Sequence, residues 1–150
     1  MRIASSTIAP VLLVRLLSAS LGAQEPPAGY VKAVTGAAVI VRGGAEIPAR
    51  RGDAVYQNDE LRTGADGHLG VTLKDDTRFS LAANTDIALS EFKFSPADGE
   101  LGLVMKLVRG IAAFITGRIG KLRPDAVKVE TPATVVGVRG TFFVIRAEGP

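Results

Sequence analysis

The six carboxylates between residues 53 and 76 are the residues best suited to acid–base or metal chemistry. Two carboxylates can act as general acid and general base, and a cluster of them can bind calcium. Their spacing matches no calcium-binding loop, and each falls in a turn-rich stretch where such side chains bond nearby backbone. We therefore predict structural turn roles for Asp53, Asp59, Glu60, Asp66, Asp75 and Asp76.

The other chemically capable side chains form no active-site pattern. His68 is the only histidine and follows an Asp-Gly turn, no serine lies in a G-x-S-x-G motif, and cysteine is absent from the sequence. The glycines form no phosphate-binding loop, and the aromatic residues are too scattered for a base-stacking platform. We predict that the protein is not an enzyme and uses no cofactor, metal or nucleic acid.

Arg139 is the only charged residue in the apolar run "TPATVVGVRGTFFVI", residues 131–145. If the run is one strand, Arg139 shares a face with apolar residues, because side chains alternate along a strand. A guanidinium buried there needs a carboxylate or several carbonyl acceptors. We predict that Arg139 braces the last strands against Asp53 or Asp59, with the Thr141 hydroxyl adding a hydrogen bond.

Gly140 and Pro132 affect how the run 131–145 can pair. Gly140 allows a bulge that would turn the arginine elsewhere, and contact with a partner is the competing role for Arg139. Pro132 lacks a backbone donor and should sit at the start of a strand or on an edge. We expect strand pairing in the run to begin at about Ala133.

The first 23 residues have the layout of a secretory signal peptide. Arg2 precedes an apolar stretch over 8–21, small residues follow, and no acidic residue comes before Glu25. We predict cleavage after Ala23, a linker over 24–29, and export to the periplasm or the extracellular space.

Removal of the predicted signal peptide lowers the net charge of the protein. The chain carries a net charge of +3, and loss of Arg2 and Arg15 leaves +1, which removes the main support for nucleic-acid binding. A chain of 150 residues that is 47% hydrophobic suits one domain, large enough to fold without disulfides.

Short strand-like segments follow one another through the middle of the chain, separated by turn residues. Many short strands at even spacing predict a single all-β domain, either solenoid-like or a rolled sheet of sandwich or barrel type. Gly43-Gly44 predicts a hairpin turn. The predicted segments are 30–41, Ala54–Tyr56, Glu60–Thr63, His68–Leu73, Thr77–Leu81, Ile87–Phe92 and 125–131.

The segment 101–122 fits two structures. Its apolar residues recur at helical spacing among four cations, which indicates a basic amphipathic helix able to lie on an anionic membrane. Its four glycines disfavour a helix, each by about 1 kcal/mol, and its first residues also alternate with a period of two. We favour two strands with a turn near Gly110 and keep the membrane-surface helix as the alternative.

The chain resembles the FecR domain family over Tyr30–Arg146, most specifically in "TPATVVGVRGTFF" and then in "GDAVYQNDELRTGADGHLGVTLKDDT". The resemblance implies an all-β domain over 30–146, followed by a tail at 147–150, outside the cytoplasmic membrane and without catalytic residues. It also implies fold-specifying roles for Gly52, Asp53, Thr63, Gly67, Gly110, Thr131, Pro132, Arg139, Gly140 and Thr141.

The FecR resemblance sets the functional hypothesis. Full transducers resemble a three-part design with a cytoplasmic segment and a membrane helix, whereas here the domain follows a signal peptide, so we do not expect this chain alone to signal across a membrane. We expect an exported, non-enzymatic module that binds another cell-envelope component within a signalling or assembly system. The alternative is a protein that binds glycan or peptidoglycan. The sequence indicates neither the identity of the partner nor the oligomeric state.

Overall fold

The computed structural model describes residues 25–149, so the predicted signal peptide at 1–23 lies outside the described residues. Within that range the chain is mostly strand, which confirms the prediction of an all-β rolled sheet. Helix α1 spans Arg118–Leu122. The strands are β1 (Gly29–Thr35), β2 (Ala38–Arg42), β3 (Ala45–Pro48), β4 (Ala54–Val55), β5 (Glu60–Thr63), β6 (His68–Leu73), β7 (Arg78–Leu81), β8 (Asp86–Ser95), β9 (Glu100–Ile115), β10 (Val127–Glu130), β11 (Val135–Gly137) and β12 (Phe142–Ala147).

The strands form one rolled sheet whose two halves share β9. The main hydrogen-bonded order is β3-β2-β5-β8-β9-β7-β6-β1-β4. The first part of β9 lies between antiparallel β8 and parallel β10, and β11 pairs with β10. The second part of β9 lies between β7 and β12, both antiparallel to it. We call the second part of β9 together with β12, β7, β6, β1 and β4 the A half. The first part of β9 and the remaining strands form the B half.

Alternating side chains build the core between the two halves. In β6, Leu69, Val71 and Leu73 are buried while the residues between them are not, as a strand with one covered face requires. The predicted bounds of Glu60–Thr63 and His68–Leu73 are confirmed. Only local alternation and the flanking turns are needed to place these two strands.

Glycine turns divide the N-terminal segment. Gly43 and Gly44 both have positive φ, at 58° and 80°, and join β2 to β3, which confirms the predicted hairpin. The segment 30–41 also splits at Gly36, where φ is +65°. Its two parts, β1 and β2, pair with different strands and lie in different halves of the sheet.

The predicted turn near Gly110 is wrong, because β9 runs unbroken through that position. Gly110 has φ +94° and marks the point where the strand passes from the B half to the A half. The alternative of a helix over 101–122 is also wrong, since only Arg118–Leu122 is α-helical. Within residues 25–149, no helix is long and apolar enough to cross a membrane.

The run 131–145 is not one strand. It divides into β11 and β12, and Gly140, with φ +118°, lies in the break between them. Pro132 lies in the turn that joins β10 to β11, where the Thr131 amide donates to the Thr134 carbonyl at 2.7 Å. Pairing therefore begins at Val135, two residues later than expected.

Candidate functional site

Arg139 does not brace the core. Its side chain is 85% exposed, and its nearest carboxylate is that of Asp125, 3.8 Å away and also exposed. The prediction that Arg139 pairs with Asp53 or Asp59 is wrong because the break at Gly140 ends the alternation that would have turned it inward.

The arginine that does brace the fold is Arg42, at the end of β2. Its Nε donates to Oδ1 of Asp59 at 2.9 Å and its Nη2 to Oδ2 at 2.8 Å, a two-point contact with a carboxylate that is 1% exposed. Nη2 also donates to the Ala54 carbonyl, and the guanidinium lies 4.6 Å from the centre of the Tyr56 ring. The hydrogen bond with Asp59 raises the pKa of Arg42 against the opposing effect of burial.

Asp53 closes a turn of its own. Its Oδ2 accepts from the Arg50 amide at 2.8 Å, and Gly52 adopts φ +94° within that turn. The turn is held to β1 because the Gly52 amide donates to the Val31 carbonyl and the Val31 amide donates to the Asp53 carbonyl. The turn role predicted for Asp53 is confirmed by these contacts.

Asp75 is buried and ties the β6–β7 turn to helix α1. Its carboxylate accepts from the Thr77 amide and hydroxyl, at 3.1 and 2.7 Å, and from the Ile119 amide at 3.2 Å. Its carbonyl accepts from the Arg118 amide at 2.6 Å. The predicted turn role is confirmed, and the link to a helix more than forty residues away is an addition that spacing could not indicate.

Buried threonines stabilise the point at which β9 passes from the B half to the A half, which we call the strand switch. The Thr63 hydroxyl donates to the Ala82 carbonyl at 2.6 Å and accepts from the Thr85 amide at 3.0 Å. The Thr85 hydroxyl in turn accepts from the Ile111 amide at 3.1 Å, next to Gly110. A Cβ on Gly110 would collide with Thr85. These contacts place both Thr63 and Gly110 in the packing of the switch.

Two further predicted positions lie at close backbone approaches. A Cβ on Gly67 would meet the Ala37 carbonyl, so the turn before β6 packs directly on the turn after β1. The Thr116 hydroxyl donates to the carbonyls of Gly140 and Thr141, which anchors the start of β12. Thr141 therefore contributes its carbonyl to this contact, whereas the sequence pattern predicted a hydrogen bond from its hydroxyl.

The outer face of the B half carries a charge cluster around Arg62. Its Nη2 donates to Glu60 at 2.8 Å, and its Nε lies 3.3 Å from Oδ2 of Asp86 without hydrogen-bond geometry. Burial raises the pKa of Asp86, and the nearby Arg62 charge opposes that effect. The arrangement is an ion-pair network across neighbouring strands, since Arg62 and Asp86 are direct cross-strand partners.

The cavity between the two halves is too small for a small-molecule ligand. The cavity between the halves, lined by residues such as Met105, Phe114 and Phe143, measures about 10 Å³, about the space of one water molecule. Among residues 25–149, no group of three or more His, Cys, Asp or Glu side chains could hold a metal ion.

The outer face of the A half presents an apolar patch, which we call the A patch and define as Ile111, Ile115, Phe142 and Val144. Their exposed fractions are 39%, 41%, 64% and 54%. Phe142 is the cross-strand partner of Ile115, so the patch is continuous across β9 and β12. Large contiguous apolar patches on a protein surface mark interaction sites, which makes the A patch the candidate interaction surface.

The sequence of β12 contains a pattern that indicates the A patch. The prediction of a single strand over 131–145 does not use this pattern. Four consecutive apolar residues, "FFVI", begin β12, and alternation sends two of them to each face. Phe143 and Ile145 pack toward the core, where the Phe143 ring stacks on Phe114 at 4.8 Å. Phe142 and Val144 must then face outward.

Comparison with protein families gives one match: residues 59–150 match the model described as FecR protein. Searches of curated proteins and of solved structures gave no significant match. The family is one of signalling and regulatory domains that are in general extracytoplasmic. The matched region covers β5 through β12 and more than half of the chain, so the protein belongs to the FecR family.

Proposed function

We propose that this chain is an exported, non-enzymatic FecR domain that binds another protein of the cell envelope through the A patch. The single observation that carries the proposal is the exposure of Phe142 and Val144 beside Ile111 and Ile115 on one face of the A half. Burying such side chains against a partner is favourable by about 25 cal/mol for each Å² removed from water.

The family supports the kind of partner proposed. FecR domains are signalling-related, and such domains generally contact other envelope or membrane proteins. We propose a role in extracytoplasmic signalling on this ground. A surface that transmits a signal by contact needs shape and apolar area but no catalytic group.

Site-specific photocrosslinking in intact cells tests the binding proposal. A photoreactive amino acid replaces Phe142, and the matched control carries it at Ile47, an exposed apolar residue of β3 in the B half. We expect an adduct with an envelope protein at position 142 and none with the same protein at 47. The proposal fails if position 142 gives no heterologous adduct or if both positions give the same set.

Two accompanying measurements separate the remaining parts of the proposal. The mass of the mature protein tests export, because cleavage after Ala23 leaves a chain that begins at Gln24. Incubation with purified cell-wall polymer tests the glycan alternative. Retention on polymer that has been stripped of protein would favour glycan binding and contradict a protein partner.

A further inference from the structure

The outer edge of β12 is open to hydrogen bonding. The Thr116 amide donates to the Thr141 carbonyl at 2.8 Å, so these two residues form a hydrogen-bonded antiparallel pair. Alternation from that pair directs the N–H and C=O groups of Phe142, Val144 and Arg146 away from β9. Across residues 25–149, β12 pairs with β9 and with no other strand.

The other sheet edges are better protected than β12. Strand β3 has four residues and ends in Pro48, whose missing N–H discourages pairing at an edge. Strands β4 and β11 are only two and three residues long. Strand β12 has six residues, contains no proline, and exposes Phe142 and Val144. Strand β12 is therefore more open to a partner strand than β3, β4 or β11.

We propose that β12 pairs with β12 of a second copy of this chain, antiparallel and about a two-fold axis through Val144. In this register Val144 faces Val144 of the second copy, and Phe142 faces Arg146 on each side of the axis. All the outward N–H and C=O groups of these three residues then find partners. A two-fold axis makes one self-complementary segment sufficient for both copies.

A cation–π contact favours a second copy in this register. Arg146 is exposed on the same outward face as Phe142, so the two-fold axis brings each guanidinium opposite the aromatic ring of the other copy, a cation–π arrangement. On the inward face, Phe143 comes opposite Ile145. A parallel, in-register pairing would instead set Arg146 against Arg146, and like charges directly opposite destabilise a sheet.

Pairing at the edge leaves the A patch accessible to another protein. Hydrogen bonds form in the plane of the sheet, whereas the patch lies on its outer face. The two patches of the dimer would meet across the axis and form one larger apolar surface. Self-association can be measured without any partner, so the dimer stands or falls separately from the proposed function.

Cysteine substitution provides a direct test, since the chain has no cysteine of its own. In the proposed register the two copies of residue 144 are a hydrogen-bonded pair with Cα atoms about 5.5 Å apart, within reach of a disulfide. We expect purified Val144→Cys to form a disulfide-linked dimer under mild oxidation. The matched control Phe142→Cys, on the same exposed face, should form little disulfide because its counterpart is Arg146 and the two copies of residue 142 lie far apart.

Sedimentation equilibrium of the cysteine-free protein gives an independent readout. We expect a reversible dimer that Arg146→Glu weakens about tenfold through loss of two cation–π contacts. The control Arg139→Glu changes another exposed arginine, outside β12, and should leave the dimer unchanged. A monomer at every concentration, or equal disulfide formation at 142 and 144, would overturn the inference. Crosslinking of Phe142 to an envelope protein would then still support the proposed function.

Discussion

Arg42 donates two hydrogen bonds to the Asp59 carboxylate, of 2.9 and 2.8 Å, although the two residues are seventeen positions apart in the sequence. The carboxylate sits at the turn that leads into β5, and its Oδ2 also accepts from the Tyr56 amide at 2.8 Å. The pair therefore ties the end of β2 to the turn after β4. A planar guanidinium suits this two-point contact in a way that a lysine ammonium does not.

Replacing Arg42 should destabilise the fold because it leaves the Asp59 carboxylate buried without its cation. Breaking a fully buried pair costs about 3–5 kcal/mol. The Arg42 side chain is 40% exposed, so screening by solvent lowers our expectation to about 2 kcal/mol for Arg42→Ala. Arg42→Lys keeps the charge but loses the two-point hydrogen bonding of the guanidinium. Its stability should therefore fall between those of the wild type and Arg42→Ala. Urea unfolding followed by far-UV circular dichroism measures the difference.

Arg139→Leu is the control for the Arg42 variants, because it removes an exposed arginine. Arg139 is 85% exposed and lies 3.8 Å from an equally solvated Asp125. Exposed ion pairs contribute little, so we expect a change within about 0.5 kcal/mol in the free energy of unfolding. A loss at Arg139 as large as that at Arg42 would show that the C-terminal arginine supports the fold after all.

Asp75→Asn should destabilise the protein by about 2 kcal/mol, since hydrogen bonds to a charged group are each worth about 1.5–3 kcal/mol and one acceptor oxygen remains. The side-chain NH2 would also face the N–H of either Thr77 or Ile119, because these two amides donate to different oxygens of Asp75. The neighbouring Asp76→Asn is the control, because Asp76 is exposed and asparagine tolerates its φ of +68°. The thermal unfolding midpoint of Asp75→Asn should lie clearly below that of Asp76→Asn. Equal midpoints would contradict the stabilising role of the Asp75 hydrogen bonds.

Local features of this fold could be predicted from the sequence because neighbouring residues alone determine them. The bounds of β5 and β6, the Gly43-Gly44 hairpin and the turn at Asp53 all depend on alternation or on turn chemistry within a few residues. The partner of Asp59 could not be predicted in this way. Arg42 and Arg139 are equally good partners by residue type, and only the path of the chain brings one of them to the carboxylate.

The strand switch explains why the segment 101–122 resembles a helix in sequence. Before the switch, buried side chains fall at odd positions such as Met105 and Leu107, and after it they fall at even positions such as Ala112 and Phe114. A bulge in the pairing of β8 with β9, together with Gly110, causes the change. A change of parity inside a strand mimics the three- and four-residue spacing of a helix, so periodicity alone could not distinguish them.

Asp86 gives a prediction about pH. Burial raises the pKa of Asp86 in the folded state above its unfolded value, so the folded protein binds its proton more tightly. This residue therefore lowers stability above its unfolded pKa, and the loss disappears as the pH falls below that range. We expect Asp86→Asn to gain stability relative to the wild type as the pH rises from about 3 to about 7, measured by urea unfolding at each pH.

The comparison for Asp86 is the difference between variant and wild type, because other groups contribute equally to both curves. Asp125→Asn, at a carboxylate that is 89% exposed, provides the reference for an amide substitution without burial. A relative stability of Asp86→Asn that falls as the pH rises would mean that attraction to Arg62 outweighs burial.

Gly110→Ala should be the most damaging glycine substitution in β9, for two separable reasons. Its φ of +94° is strained for any residue with a Cβ, and that Cβ would collide with Thr85 in the strand switch. Gly43→Ala isolates the first reason, since Gly43 has φ +58° and open space around it. Strain alone costs about 1–2 kcal/mol, and overpacking adds about 1–3 kcal/mol. We therefore expect a loss of about 3 kcal/mol or more for Gly110→Ala and about 1 kcal/mol for Gly43→Ala. Equal losses in chemical unfolding would mean that contact with Thr85 does not constrain the switch.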